Sequence, residues 1–264
     1  MVEPLLSWLR SGDGEPLLVL HGLGSTRDDF AVLAPRLAQE YEVLSVDLPG
    51  HGESPPLVAR PTVAALTDVV ERDLDRFGYE RVHVLGNSLG GRIALELARR
   101  HRARSVVALA PSGMGLPPER VYQSLALSGA RVSLRRMRAL IDPLSNSRPG
   151  RALLLAGLRA KPARASAAEA RAVRGGFAES TGFWRMLLWA VLADVPAGLS
   201  EVDCPVVLAQ GSRDLLSGGQ TPRYLLLVPG STFHPLLRAG HAPQSDTPDV
   251  IIELVDEATR AVSK

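Results

Sequence analysis

Cysteine is almost missing from this chain. The single Cys204 excludes an internal disulfide and a cysteine-based metal site, and its place just before an apolar run predicts a buried small hydrophobe. Lysine is equally scarce: only Lys161 and Lys264 occur, so nearly all the positive charge is arginine. With 30 basic against 28 acidic residues, the whole chain carries no general footprint of nucleic-acid binding. No stretch approaches the roughly 18 apolar residues needed to span a bilayer. The first residues include Glu3 and Pro4 and lack the basic-then-apolar pattern of a signal peptide, so a cytoplasmic location is the expectation. No cluster of His, Cys, Asp and Glu has metal-ligand spacing, and no glycine-rich phosphate loop followed by Lys and Ser or Thr occurs. The expectation is neither metal nor cofactor.

What is present is a large apolar complement. A chain of 264 residues that is 45% hydrophobic can bury one large core, and its length fits a single α/β domain carrying an insertion. Leu5 to Leu9 and Pro16 to Leu20 are short apolar runs separated by Ser11-Gly12-Asp13-Gly14, which reads as a hairpin feeding a buried strand. Further strand-like runs follow at Glu42 to Val46, Arg81 to Leu85 and Ser105 to Ala110. Between them, Val63, Leu66, Val70 and Leu74, then Ile93, Leu95, Leu97 and Ala98, have helical spacing. Strands alternating with helices predict a doubly wound, mostly parallel sheet with functional loops at the carboxyl ends of its strands.

From about Ser112 to Pro196 the rhythm becomes Ala, Leu and Arg at helical spacing with no convincing strand. The strand pattern resumes at Pro205 to Ala209 and at Ser231 to Leu237, and a last amphipathic helix runs from about Pro248 to Val262, with Thr247 available as its N-cap. The expected organisation is a core domain of residues 1–111 and 197–264 with an all-helical cap at 112–196. The cap holds 12 Arg and one Lys against five acidic residues, a formal +8 that leaves −6 for the rest of the chain. That asymmetry could steer an anionic substrate or an acidic carrier protein, set against a merely solvated basic surface. Phe177, Phe183, Trp184, Met186 and Trp189 gather near the cap's end; Phe183, Trp184 and Trp189, together with Asn87 of the core, are candidates to line a substrate pocket.

The strongest local signal is Gly86-Asn87-Ser88-Leu89-Gly90-Gly91, between a strand and a helix. It matches the GxSxG nucleophile elbow, whose tight turn strains the serine and lifts its hydroxyl above the sheet, while the glycines spare neighbouring backbone a Cβ. A serine hydroxyl is a poor nucleophile at neutral pH, so it needs a base and the base an orienting carboxylate, in the order Ser, Asp or Glu, His. Asp214, in Gly211-Ser212-Arg213-Asp214, and His241, in Ala239-Gly240-His241-Ala242-Pro243, stand just past the next two strands in that order. Asp203 lies before its strand and Asp194 belongs to the cap. A tetrahedral oxyanion needs two preorganised N–H donors; His21-Gly22-Leu23-Gly24 offers the backbone of Leu23, and the residue after the nucleophile offers that of Leu89, with both side chains expected to line the pocket. His21 and His51 are expected to brace loops, and His83, His101 and His234 to be structural or solvated.

On these motifs, together with Asp47-Leu48-Pro49-Gly50-His51-Gly52-Glu53-Ser54 and Gly240-His241 with Asp246 and Pro248 downstream, the chain resembles a capped, esterase-like α/β-hydrolase over almost its whole length outside the cap. The resemblance implies hydrolysis of a small-molecule carboxylic ester, an anionic one included, through an acyl-enzyme and without a cofactor. The Asp47 to Ser54 segment is then a structural turn. At Asn87 the elbow also resembles that of carbon–carbon bond hydrolases acting on ring-cleavage products, although His21-Gly22-Leu23-Gly24-Ser25 and Ala242 depart from their pattern. Haloalkane dehalogenases and epoxide hydrolases are similar but carry aspartate at the elbow, against Ser88. A ligand-binding receptor that keeps the triad with little turnover is the reading from a different class.

Overall fold

A computed structural model describes residues 5–263 of the chain. The chain runs β1 (Trp8–Ser11), β2 (Glu15–Leu20), α1 (Ala34–Leu37), β3 (Tyr41–Val46), α2 (Val63–Phe77), β4 (Val82–Asn87), α3 (Leu89–Arg99) and β5 (Ala103–Leu109). Between β5 and β6 lie α4 (Pro117–Arg136), α5 (Arg138–Ser145), α6 (Arg148–Leu154), α7 (Ala167–Val173) and α8 (Phe183–Met186), with π-helical stretches at Arg174–Ala178 and Leu187–Ala193 and no strand among the described residues. The core then closes with β6 (Val206–Gly211), α9 (Gln220–Arg223), β7 (Thr232–Leu236) and α10 (Pro248–Arg260).

All seven strands form one sheet in the order β1-β3-β2-β4-β5-β6-β7, parallel except for β1. Helices cover both faces, so the central strands bury both sets of side chains and read as continuous apolar runs. The two-residue strand period divides them: Leu18, Leu20, Val84, Val106 and Leu208 face one core with Leu66, Val70, Ile93 and Leu97 of α2 and α3. Leu17, Val19, Leu85, Val107 and Val207 face the other, with Ile251, Leu254 and Val255 of α10. Helix α2 follows its predicted period; Thr62 Oγ1 accepts from the Ala65 amide at its start, and left-handed Gly78 ends it.

The expected first hairpin does not form. β1 pairs antiparallel with β3, from Trp8 opposite Val46 to Ser11 opposite Val43, while β2 lies beyond β3. An apolar β2 needs a strand along each edge, and β3 and β4 supply them, which leaves the half-exposed β1 as the sheet edge. The Gly12 to Gly14 link therefore crosses the start of β3, where a Cβ on Gly14 would overlap the Glu40 carbonyl. Thr247 also departs from expectation: its side chain makes no N-cap bond but donates to the Pro243 carbonyl at 3.4 Å, and Pro248 occupies the first turn.

The helical insertion between β5 and β6, the expected cap and called so below, packs onto the sheet through Phe177, Phe183, Met186 and Val191, which join the α2–α3 core. Backbone seams add to this. A Cβ on Gly176 of the cap would overlap the Gly24 carbonyl, the Gly182 amide donates to the Gly50 carbonyl at 3.2 Å, and a Cβ on Gly240 would come within 2.6 Å of the Leu158 carbonyl. At the cap's far end, Asp194 pairs with buried Arg92 at 3.2 Å and accepts from the Val63 amide. Cys204 is buried as expected, and burial pushes its thiol up to about 11, so it is inert as a nucleophile at neutral pH. Among the described residues, no helix is long and apolar enough to cross a membrane.

Candidate active site

Ser88 stands between β4 and α3 with φ 55° and ψ −111°, a conformation that side-chain-bearing residues rarely adopt. Its amide donates to Leu109 at 2.8 Å, and its carbonyl accepts from Arg92 at 3.0 Å and Ser112 at 3.1 Å, which together hold the strained turn. The flanking glycines are required by space: a Cβ on Gly90 would overlap the Leu20 carbonyl of β2, and one on Gly86 the Gly90 carbonyl. Its immediate neighbours Asn87 and Leu89 are buried, whereas Ser88 itself is partly exposed.

Asp214 follows β6 and His241 follows β7, and the parallel pairing of these strands brings the two loops together. His241 Nδ1 lies 3.0 Å from Asp214 Oδ2, with both side chains buried. Since the carboxylate accepts, Nδ1 carries the proton and Nε2 is left as the basic nitrogen. Asp214 is held by more than the histidine: Oδ1 accepts from the amides of Leu216 at 2.8 Å and Ser217 at 3.0 Å, and Oδ2 accepts from the Ser217 hydroxyl and from Gln210 Nε2. Burial pushes the Asp214 carboxyl up, but the charge and hydrogen bond of His241 and the Ser217 bonds outweigh it and hold the acid well below the usual carboxylate range. For His241 burial favours the neutral ring, but the Asp214 charge and hydrogen bond win, so its pKa is raised.

The loop bearing Leu23 is fixed by two histidines in a reciprocal arrangement. His21 accepts the Leu48 amide on Nε2 at 2.9 Å, and His51, from the Leu48 loop, accepts the Gly24 amide on Nε2 at 3.0 Å. Each Nδ1 faces a carbonyl, that of Gly22 or Pro49, so both rings are neutral Nδ1–H tautomers that brace loops as expected. Burial lowers His21 to about 4, and burial with the neighbouring His21 lowers His51 to about 3. Among the described residues, no group accepts a hydrogen bond from the amide of Leu23 or Leu89. Asp47 serves its turn structurally, accepting from the amides of Arg27 and Glu53.

One cavity gathers Ser88, His241, Leu23 and Asn87, with Leu127 and Phe177 of the cap over them. Several expected pocket residues lie elsewhere. Phe183 is wholly buried between Phe177, Trp184 and the guanidinium of Arg131; Trp184 is 46% exposed; Trp189 stacks under Arg60 at 4.8 Å. None of the three lines the cavity: Phe183 and Trp184 stand on α8, one turned into the core and the other toward solvent, and Trp189 lies in the π-helical stretch Leu187–Ala193, whose wider turn shifts which side chains face inward. The Leu89 side chain is buried in the core instead of the pocket. Asn87 lines the cavity, yet its amide is spent on the carbonyls of Leu109 at 3.2 Å and His241 at 3.0 Å. Asp203 sits at the opposite sheet end, paired with His101 and Arg81; His83 bonds Ser105 and Glu15, and His234 faces Glu257.

Sequence reasoning missed Ser217 and Gln210, although a hydroxyl three residues after Asp214 is a turn signal. It also missed Arg159 of the cap, which lines the cavity and donates to Asp29 and to the Ala242 carbonyl. Much of the cap's basic excess is scaffolding: Arg120, Arg131, Arg151 and Arg185 donate to main-chain carbonyls.

Loops of this kind at the carboxyl ends of a doubly wound sheet define a hydrolase class. The model of the alpha/beta hydrolase family matches residues 17–254, and the chain belongs to that family. The acetyltransferase component of the acetoin cleaving system from Cupriavidus necator is 39% identical over 108 residues, 40% of this chain; the chain spans 29% of that relative's length. The epoxide hydrolase EphH of Mycobacterium tuberculosis is 31% identical, over 73% of this chain and 92% of its own. A pimeloyl-[acyl-carrier protein] methyl ester esterase from Chromobacterium violaceum is 29% identical over 88% of this chain and 89% of its own. Among solved structures, an esterase from Thermogutta terrifontis superposes with a TM-score of 0.75 at 20% identity, covering 98% of this chain and 94% of that one. A meta-cleavage product hydrolase from Pseudomonas fluorescens IP01 gives 0.73 at 19%, covering 96% and 93%; both show the shared fold.

Proposed function

We propose that the protein is a serine esterase working through an acyl-enzyme, with residues 112–196 as the cap over its site. The Ser88 hydroxyl attacks the ester carbonyl as His241 Nε2 takes its proton. Asp214 holds the imidazole in its tautomer and stabilises the imidazolium, while the Leu23 and Leu89 amides receive the oxyanion. His241 then protonates the departing alkoxide; water, activated by the same ring, attacks the acyl-enzyme and frees the acid and Ser88. The observation that carries this reading is that His241, bonded to Asp214 at 3.0 Å, lines the same cavity as a strained, partly exposed Ser88.

Asn87 does not favour carbon–carbon bond hydrolysis, since holding the Leu109 and His241 carbonyls accounts for it without a substrate. The epoxide hydrolase relative is met by the residue at the elbow, a serine where those enzymes use aspartate. Labelling with a fluorophosphonate and turnover of p-nitrophenyl esters test the proposal. Both should vanish in Ser88→Ala; full activity in that variant would overturn it, and stoichiometric labelling without turnover would favour a receptor.

A further inference from the structure

Behind the Ser88 cavity lies a second, larger one. The space beside the nucleophile is about 60 Å³, room for a small group only, whereas a chamber of about 360 Å³ opens between α4, α6 and the 156–158 turn. Leu127, Leu158, Phe177 and Leu216 line both and form the partition between them. The chamber is apolar out of proportion to its surroundings. The cap carries 13 basic side chains, yet among the described residues no charged one lines this space, and only Tyr122 and Ser133 bring a side-chain N or O atom. At its mouth, Tyr122, Leu153 and Leu215 are 51%, 59% and 69% exposed, a cluster of large apolar surface of the kind that marks binding grooves.

A small space beside the nucleophile that shares four wall residues with a large one without any reactive group suits an elongated ligand. We infer that the chamber takes the unbranched apolar chain of the ester, with the carbonyl at Ser88 and the chain passing between Leu127, Leu158, Phe177 and Leu216. This rests on the esterase reading above and adds the substrate class: esters of medium-chain acids or alcohols. Apolar walls reward each methylene that leaves water, by about fourfold in kcat/KM until the chamber is full.

Two substrate series locate the chain: p-nitrophenyl esters from acetate to decanoate, and acetates of alcohols from methanol to octanol. One series should climb with length, which assigns the chamber to the acyl or the alcohol part; two flat series would overturn the inference. Ala126→Phe and, separately, Ala130→Phe on α4 fill the chamber, and each should lower the ratio of kcat/KM for the long ester to that for the short one at least tenfold. Unchanged ratios in folded variants would overturn it. Binding of 1-octanol against 1-butanol to Ser88→Ala reads the chamber without turnover. Octanol should bind at least tenfold tighter, and Ala130→Phe should remove the difference; equal binding counts against the chamber. A protein that binds octanol there but turns over no ester would overturn the esterase reading alone.

Discussion

The guanidinium of Arg159, on the cap, lies 2.7 Å from the carboxylate of Asp29, on the core loop that follows Leu23, and both side chains are nearly out of solvent. The same guanidinium donates to the carbonyl of Ala242, next to His241, and Gln244 donates to the other Asp29 oxygen at 2.6 Å. Beside it, Asp246 accepts from the amides of Gly240, Ala160 and Lys161. One cap segment is thus bonded to the oxyanion side and the histidine side of the site.

Removing one member of this pair leaves a buried charge without its partner. Arg159→Met should cost about 3–5 kcal/mol of stability in urea unfolding, and Arg159→Met with Asp29→Asn should cost less than the two single variants added. Strict additivity would show the pair to be uncoupled.

The strain at Ser88 predicts a trade of stability against activity. Glycine adopts the positive φ freely, so Ser88→Gly should raise stability by about 1 kcal/mol, with Ser88→Ala close to the parent. Equal stabilities for the glycine and alanine variants would mean that the turn stores nothing.

In the proposed mechanism, Asp214 sets the pH at which His241 works as the base. The histidine acts only when neutral, and the carboxylate raises its pKa above the ordinary 6.5, so the acid limb of kcat/KM should fall above that value. In Asp214→Asn the two largest raising causes are gone, and burial remains against the weaker pull of the Asp29 charge: the limb should move to lower pH while kcat drops by about 10⁴. An unmoved limb would assign the titration to another group.

His21 and His51 make stability depend on acid. In the unfolded chain each binds a proton near 6.5, but in the folded chain only near 4 and 3, so between about pH 6.5 and 4 the unfolded state holds more protons. Their contribution is complete above 6.5 and declines as pH falls, by about 1.4 kcal/mol per pH unit for each ring. Denaturant unfolding at pH 7, 6 and 5 should show that slope, and the ring nitrogens of both should keep neutral-imidazole NMR shifts at pH 5.

The residues legible in the sequence are those that a local turn fixes. Ser88, Asp214 and His241 each follow their own strand, so strand order alone brings two of the loops together, and the bond between Asp214 and His241 follows. The position of β1 was not legible, because an edge strand pairs with a partner more than thirty residues away and no nearby turn records the choice. The Arg159–Asp29 contact joins residues 130 apart. Trp189 was misplaced because a 3.6-residue wheel assigns the wrong faces to a π-helical stretch, and Phe183 because its place on α8 is set by the guanidinium of Arg131, more than fifty residues away.

The seams at Gly24, Gly50 and Gly240 bear on the clock of the reaction. Swinging the whole cap aside would part main chain from main chain at three separated points, together with the Arg159–Asp29 pair. Passage by rotation of side chains at the partition breaks none of these, and such rotations belong to the picosecond-to-nanosecond range instead of the microseconds and longer of domain motion. On the proposed esterase reading, ester and product would then pass without any movement of the cap as a body.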